Sequence, residues 1–236
     1  MRKWLLTAAM AALGLASAAT LQDAQASLAK GDWKTATDAG LALNSADGYT
    51  LAAMATTLGA SVSPQDQQPG LLETAQGYAK KAIGLNPNSP EAQFELARAD
   101  GRLAQFRGIL QSLSLAGEVK SSLDKALQLN PNYASAYVAL GLWNAELASK
   151  GFIATSATGA SASNVVPNFQ KAISLEPTMI AHRLEYANAM LKISSRSHDY
   201  RSFAAAQLQK ALSLKPRDYW EQQNLLAARQ LLATLK

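Results

Sequence analysis

Apolar residues recur along this chain at three- and four-residue intervals, and four such runs end on the same short phrase. Before Pro131, the residues Leu123, Ala126, Leu127 and Leu129 fall on one stripe of a helix, with Ala126 small enough for a neighbouring helix to approach closely. The phrase Lys125-Ala126-Leu127-Gln128-Leu129-Asn130-Pro131 has three other copies, ending at Pro87, Pro177 and Pro216, and an eroded one without proline at Ala39–Asn44. Proline lacks an N–H and clashes with the preceding turn, so each copy predicts a helix end. Asn86-Pro87-Asn88-Ser89-Pro90 and Asn130-Pro131-Asn132 read as stop-and-turn signals with a new helix straight after. No stretch shows a convincing two-residue strand alternation, and alanine and leucine abound, so the pattern predicts an all-α chain.

The four prolines recur at intervals of 44, 46 and 39 residues. Self-similarity of this kind marks a helical array whose units bury their apolar faces against their neighbours. Alanine stands five residues before each proline, at Ala82, Ala126, Ala172 and Ala211. In the helix opening at Ala134, Tyr137, Leu140 and Gly141 are spaced as an aromatic, a leucine and a small residue; Gln93, Leu96 and Ala97 stand in their places after Pro90, and Arg183, Tyr186 and Ala187 after Ile180. Over about residues 71–236 this pattern resembles the tetratricopeptide repeat, a pair of antiparallel helices A and B closed by proline. The resemblance implies an α-solenoid whose A helices line a concave groove.

The family's unit is about 34 residues, so these units carry surpluses of roughly ten, twelve and five between their two helices. Gln105–Gly117 keeps apolar periodicity and predicts a lengthened or an added helix. Lys150–Val166 is small, polar and glycine-bearing, which predicts a flexible loop. Gly59–Gly70, with Pro64 and Pro69, reads as a break between an N-terminal cap, residues 20–63, and the main array, residues 64–236. The Leu140-Gly141-Leu142-Trp143 element followed by a long insertion also resembles a subgroup allied to the regulator-of-microtubule-dynamics proteins and to the periplasmic T component of TRAP transporters. The latter are often lipoproteins, and this chain has no cysteine to carry a lipid.

Residues 1–19 have the pattern of a signal peptide: Arg2 and Lys3, an apolar run from Trp4 to Leu15, then small residues at a cleavage site. This predicts an exported, periplasmic protein. The formal charge of +5 falls to about +3 once Arg2 and Lys3 leave, and the remaining cations are interspersed with acids, which argues against a nucleic-acid partner. About 217 mature residues suffice for a helical core without disulfides.

Placed on the repeat pattern, the groove candidates are Phe94, Glu95, Arg98, Arg102, Val138, Leu142, Trp143, Glu185 and Asn188. A two-carboxylate clamp of the kind found in chaperone-binding relatives is absent, because Val138, Ala139 and Leu142 replace its polar positions. Arg98 and Arg102, four apart on one helical face, either fork onto an anionic group or pair with Glu95 and Asp100. Trp143 is either a groove anchor or core, and Trp33 and Trp220 carry the same two readings.

No catalytic or metal-binding constellation is present: His182 has no second ligand at i+4, His198 lies in the charged turn Ser194–Arg201, and no serine sits in a nucleophile elbow. No cofactor is expected. The expectation is an exported, non-catalytic scaffold binding an envelope protein or peptide in its groove. The alternative is a small-molecule or lipid-binding transporter component, with Lys150–Val166 as a lid and a tunnel beside Leu142, Trp143 and Phe152.

Overall fold

The computed structural model describes residues 20–193 and 198–235. Residues 1–19, the whole of the expected export signal, and 194–197, part of the turn expected around His198, lie outside the described residues. In chain order the helices are α1 (Leu21–Ala29), α2 (Trp33–Ala42), α3 (Ala46–Val62), α4 (Gln68–Leu85), α5 (Pro90–Leu103), α6 (Ile109–Leu129), α7 (Ala134–Ser149), α8 (Phe152–Thr158), α9 (Val165–Leu175), α10 (Ile180–Ile193), α11 (His198–Leu212) and α12 (Tyr219–Ala233).

The repeated phrase works as a helix terminator in three of its four copies. Asn86, Asn130 and Glu176, each placed before a proline, leave helical backbone at φ −142°, −138° and −133°, as the proline ring demands. Each still donates its N–H to the alanine four residues back, Ala82, Ala126 or Ala172. Asn86 and Asn130 then accept, through Oδ1, the N–H of Asn88 at 3.1 Å and of Asn132 at 3.0 Å, which tightens the turn. The fourth copy differs, because α11 stops at Leu212 before its phrase is complete. All four phrase alanines are fully buried. A Cβ on Gly141 would lie 2.5 Å from the Phe169 ring, so the missing side chain is what lets α9 seat against α7.

The helices pair as α1/α2, α3/α4, α5/α6, α7/α9 and α10/α11. The A helices α1, α3, α5, α7, α10 and α12 each touch the next. The core is a chain of local clusters, as expected of an array in which each unit meets only its neighbours. Gly59–Gly70, expected as a break between cap and array, shrinks to Ser63–Gln67. That turn lies inside the closely packed α3/α4 pair, so the boundary expected after residue 63 falls between two partner helices.

The first two surpluses resolve differently. The first becomes a short 3-10 turn, Ala104–Phe106, followed by a lengthened α6 of 21 residues. The second, expected as a loop, carries α8, entered at Gly151 and closed by the left-handed Gly159, φ 73°.

The start of α12 joins the two ends of the array. Trp220 Nε1, on α12, donates to the Leu28 carbonyl of α1 at 2.7 Å. Trp220 also packs with Leu28, Ala36 and Leu51 in the first cluster of the chain. Tyr219 lies against Gly31, where a Cβ would stand 2.6 Å from its ring and φ is +87°, a site only glycine fills easily. The curvature of the A-helix stack therefore brings the last helix back onto the first.

Candidate functional site

Residues 95, 98 and 102 rise up one face of α5, the spacing that aligns side chains along a helix. Ser89 starts this helix by accepting the Ala92 N–H on its hydroxyl at 3.1 Å, with Pro90 at the first helical position. Glu95 is completely buried. Arg98 Nη2 lies 2.6 Å from Glu95 Oε2 and donates to the Met54 carbonyl of α3 at 3.2 Å. The contact with Glu95 is poorly aligned, and neither carboxylate oxygen makes a well-formed hydrogen bond. Burial pushes the Glu95 carboxyl up to about 7, and the Arg98 and Arg102 charges only partly oppose it.

Arg102 is enclosed by protein yet keeps a solvent-reached edge. Burial, then the like charge of Arg98, lowers its pKa from the ordinary guanidinium range, against the pull of Glu185 and Glu95. Glu185 belongs to α10, two A helices further along the stack. The inner curvature thus brings together charges that are 83 residues apart in the chain. Glu185 accepts from Asn188 Nδ2 at 3.3 Å. Beside them, Glu146 of α7 bridges Lys192 of α10 and, at 3.3 Å, Lys150.

Four expected groove residues are not available to a partner: the fully buried Glu95, and three apolar ones. Phe94 is buried and meets Tyr133 edge to face at 5.1 Å between ring centroids. Trp143 lies in the same cluster and donates its indole N–H to the Ala116 carbonyl of α6 at 2.9 Å, so it is core. Val138 is buried with Tyr186 and Ala189 between α7 and α10. For Trp143 the reason is angular, since neighbours on a helix point about 100° apart and Leu142 and Trp143 do not share a face. Phe94 instead lies under the Arg98 guanidinium, 5.7 Å from it, inside the cluster. Leu142 stays half-buried beside the second of these clusters.

Asp100 does not pair with either arginine; it accepts from Gln76 Nε2 of α4 at 2.6 Å. Leu142, Trp143 and Phe152 do not converge on a tunnel, because Trp143 is core while Phe152 is 83 % exposed. His182 is buried with its Nε2 3.4 Å from Glu176 Oε2, and burial lowers its pKa to about 4, leaving it neutral at ordinary pH. Among the described residues no group of three or more His, Cys, Asp or Glu could hold a metal ion, and no helix is long and apolar enough to cross a membrane.

Met54 was not legible as a site residue. Its helix, α3, reads in sequence as part of a cap, and only the observed stacking makes it an A helix facing Arg98.

Comparison with solved structures places the fold. The chain is similar to TTC0263, a thermophilic tetratricopeptide-repeat protein from Thermus thermophilus, with a TM-score of 0.64, 18% identity, and coverage of 89% of this chain and 97% of that one. Two crystal structures of MamA give TM-scores of 0.44 and 0.45 at 20% identity, covering 80% of this chain and 92% and 90% of theirs. No curated protein matches the chain. The fold is a tetratricopeptide-repeat solenoid, all-α among the described residues. The profile of one family, described as Regulator of microtubule dynamics protein 1-3, matches residues 49–236. With most of its length covered by that match, the chain belongs to the regulator of microtubule dynamics protein 1-3 family.

Proposed function

We propose that the protein is an exported, non-catalytic scaffold that binds another envelope protein or peptide on the inner face of its A helices. The observation that carries this reading is the row of polar side chains, Arg98, Arg102, Glu146, Glu185, Asn188 and Lys192, on the inner sides of consecutive A helices. Arg98 also lies over the Phe94 ring, 5.7 Å from its centroid, so the row starts at the edge of an apolar cluster. A preformed helical surface spends little ordering entropy on association, which suits it to peptide recognition. The interleaved cations and anions favour a partner of mixed charge over a nucleic acid. Export rests on the signal pattern of residues 1–19.

The test is site-specific photo-crosslinking in cells. A crosslinker at the exposed Asn188, on the inner face, should trap one envelope protein, and the same group at Lys120 on α6 should not. Equal labelling from both positions, or a protein that stays in the cytoplasm with its first 19 residues intact, would overturn the reading.

A further inference from the structure

Among the charged side chains of the inner face, Arg102 stands apart. Arg98 is committed to Glu95 and to the Met54 carbonyl. Glu146 holds Lys192 and Lys150. Glu185 accepts from Asn188. Arg102 makes no side-chain hydrogen bond or ion pair with any described residue. A guanidinium carries five N–H donors in a rigid fork, and that of Arg102, half-buried on this face, keeps an edge open to solvent through which a partner can reach it.

We propose that Arg102 is the receptor for a single carboxylate carried by the partner, an aspartate or glutamate side chain reaching onto the inner face. This rests on the scaffold reading and names the chemistry that the scaffold recognises. The planar fork of Arg102 matches a carboxylate bidentately, a pairing that is shorter and stronger than a neutral hydrogen bond. Charge balance selects a monoanion. One guanidinium lacks a partner, and Glu185 and Glu95 both act on it. A dianionic phosphate would meet those two acids with only one free cation to offset them. Arg98 contributes a second positive charge from one turn below and is not itself free to fork.

The experiment uses the full mature chain with arginine Nε labelled for NMR. It is titrated separately with an acetylated glutamate-containing pentapeptide, with glutarate and with inorganic phosphate, and Arg229 on α12 serves as the exposed reference. The expected result is a saturable shift of Arg102 Nε with the pentapeptide, at least about ten-fold tighter than with phosphate. The shift should be absent in Arg102→Gln, and in-cell crosslinking from Asn188 should fall at least about ten-fold in the same variant. Removing an unpaired cation should not lower the melting temperature; if it does, Arg102→Lys, which keeps the charge and loses the fork, takes its place and should still weaken binding.

An Arg102 signal that does not move, or that moves only in parallel with Arg229, overturns the proposal. So does phosphate binding tighter than the peptide. Glutarate binding as well as the pentapeptide would overturn the partner-borne source in favour of a free carboxylate. Undiminished crosslinking from Asn188 in Arg102→Gln would sink the receptor and leave the scaffold standing. No specific crosslink in the wild-type protein would sink the scaffold itself.

Discussion

Glu95 and Glu146 stand on neighbouring A helices, each beside a cation about a turn further along the chain, and their acidities shift in opposite directions. Glu95 has Arg98 at i+3, and Glu146 has Lys150 at i+4 together with Lys192 from the next A helix. Glu95 is wholly buried, and burial raises its carboxyl to about 7 despite the arginine. At Glu146 burial also pushes upward, but the hydrogen bonds and charges of Lys192 and Lys150 outweigh it and hold the carboxyl below its ordinary value. The difference is solvent. The Glu146 side chain keeps 33% of its exposure, so its desolvation cost is small enough for two lysines to exceed. Removing a carboxylate from water entirely costs more than one poorly aligned partner returns.

The comparison can be broken most severely at Arg98. In Arg98→Met the buried carboxyl of Glu95 loses its nearest counter-charge, a change that costs about 3–5 kcal/mol for a buried pair. Urea unfolding should show that deficit at pH 8 and a smaller one at pH 5, where Glu95 takes up a proton. An equal loss at both pH values would mean that packing against Phe94, not charge, is what Arg98 supplies.

Glu95→Gln sharpens the same contrast. The folded carboxyl titrates near 7 and the unfolded one near 4.5, so between those values the folded state holds the extra proton. Its contribution is therefore full below pH 4.5 and is lost as pH rises through 7, by about 3 kcal/mol. The Gln variant should lack this decline in unfolding free energy. A variant that still loses the wild-type amount between pH 4.5 and 7 would place the titrating group elsewhere.

The smallest effect is expected at Glu146. Its lowered folded value means a contribution present above pH 4.5 and lost as pH falls through that folded value. Partial exposure screens the pairs, so Glu146→Gln should cost under about 1 kcal/mol at neutral pH and nothing measurable in 1 M salt. A salt-independent loss above that size would contradict the solvent argument.

Much of this molecule is legible from local pattern. The phrase that ends in proline marks the ends of α4, α6 and α9 because proline restricts the residue before it wherever the chain goes. The phrase alanines and Gly141 announce close helix packing for the same kind of reason, since small side chains are needed where axes approach. The site is legible in part. Glu95, Arg98 and Arg102 share a face by spacing alone. Phe94 and Val138 join the expected surface by their place in the repeat pattern and Trp143 as an aromatic; all three pack into the core, Phe94 beneath Arg98 and Trp143 on the side of α7 away from Leu142. The Lys150–Val166 stretch misleads through composition: its glycines bound a short helix where a loop is expected.

The sequence by itself determined the helical units, their terminators and the polar stripe on α5, because each depends on residues within a turn or two of one another. Only the tertiary structure decided that Trp220 would return to Leu28 and that Arg102 would come under the influence of Glu185. Both follow from curvature. A solenoid bends by a small rotation at every repeat, and the sum of those rotations is set by every interface together.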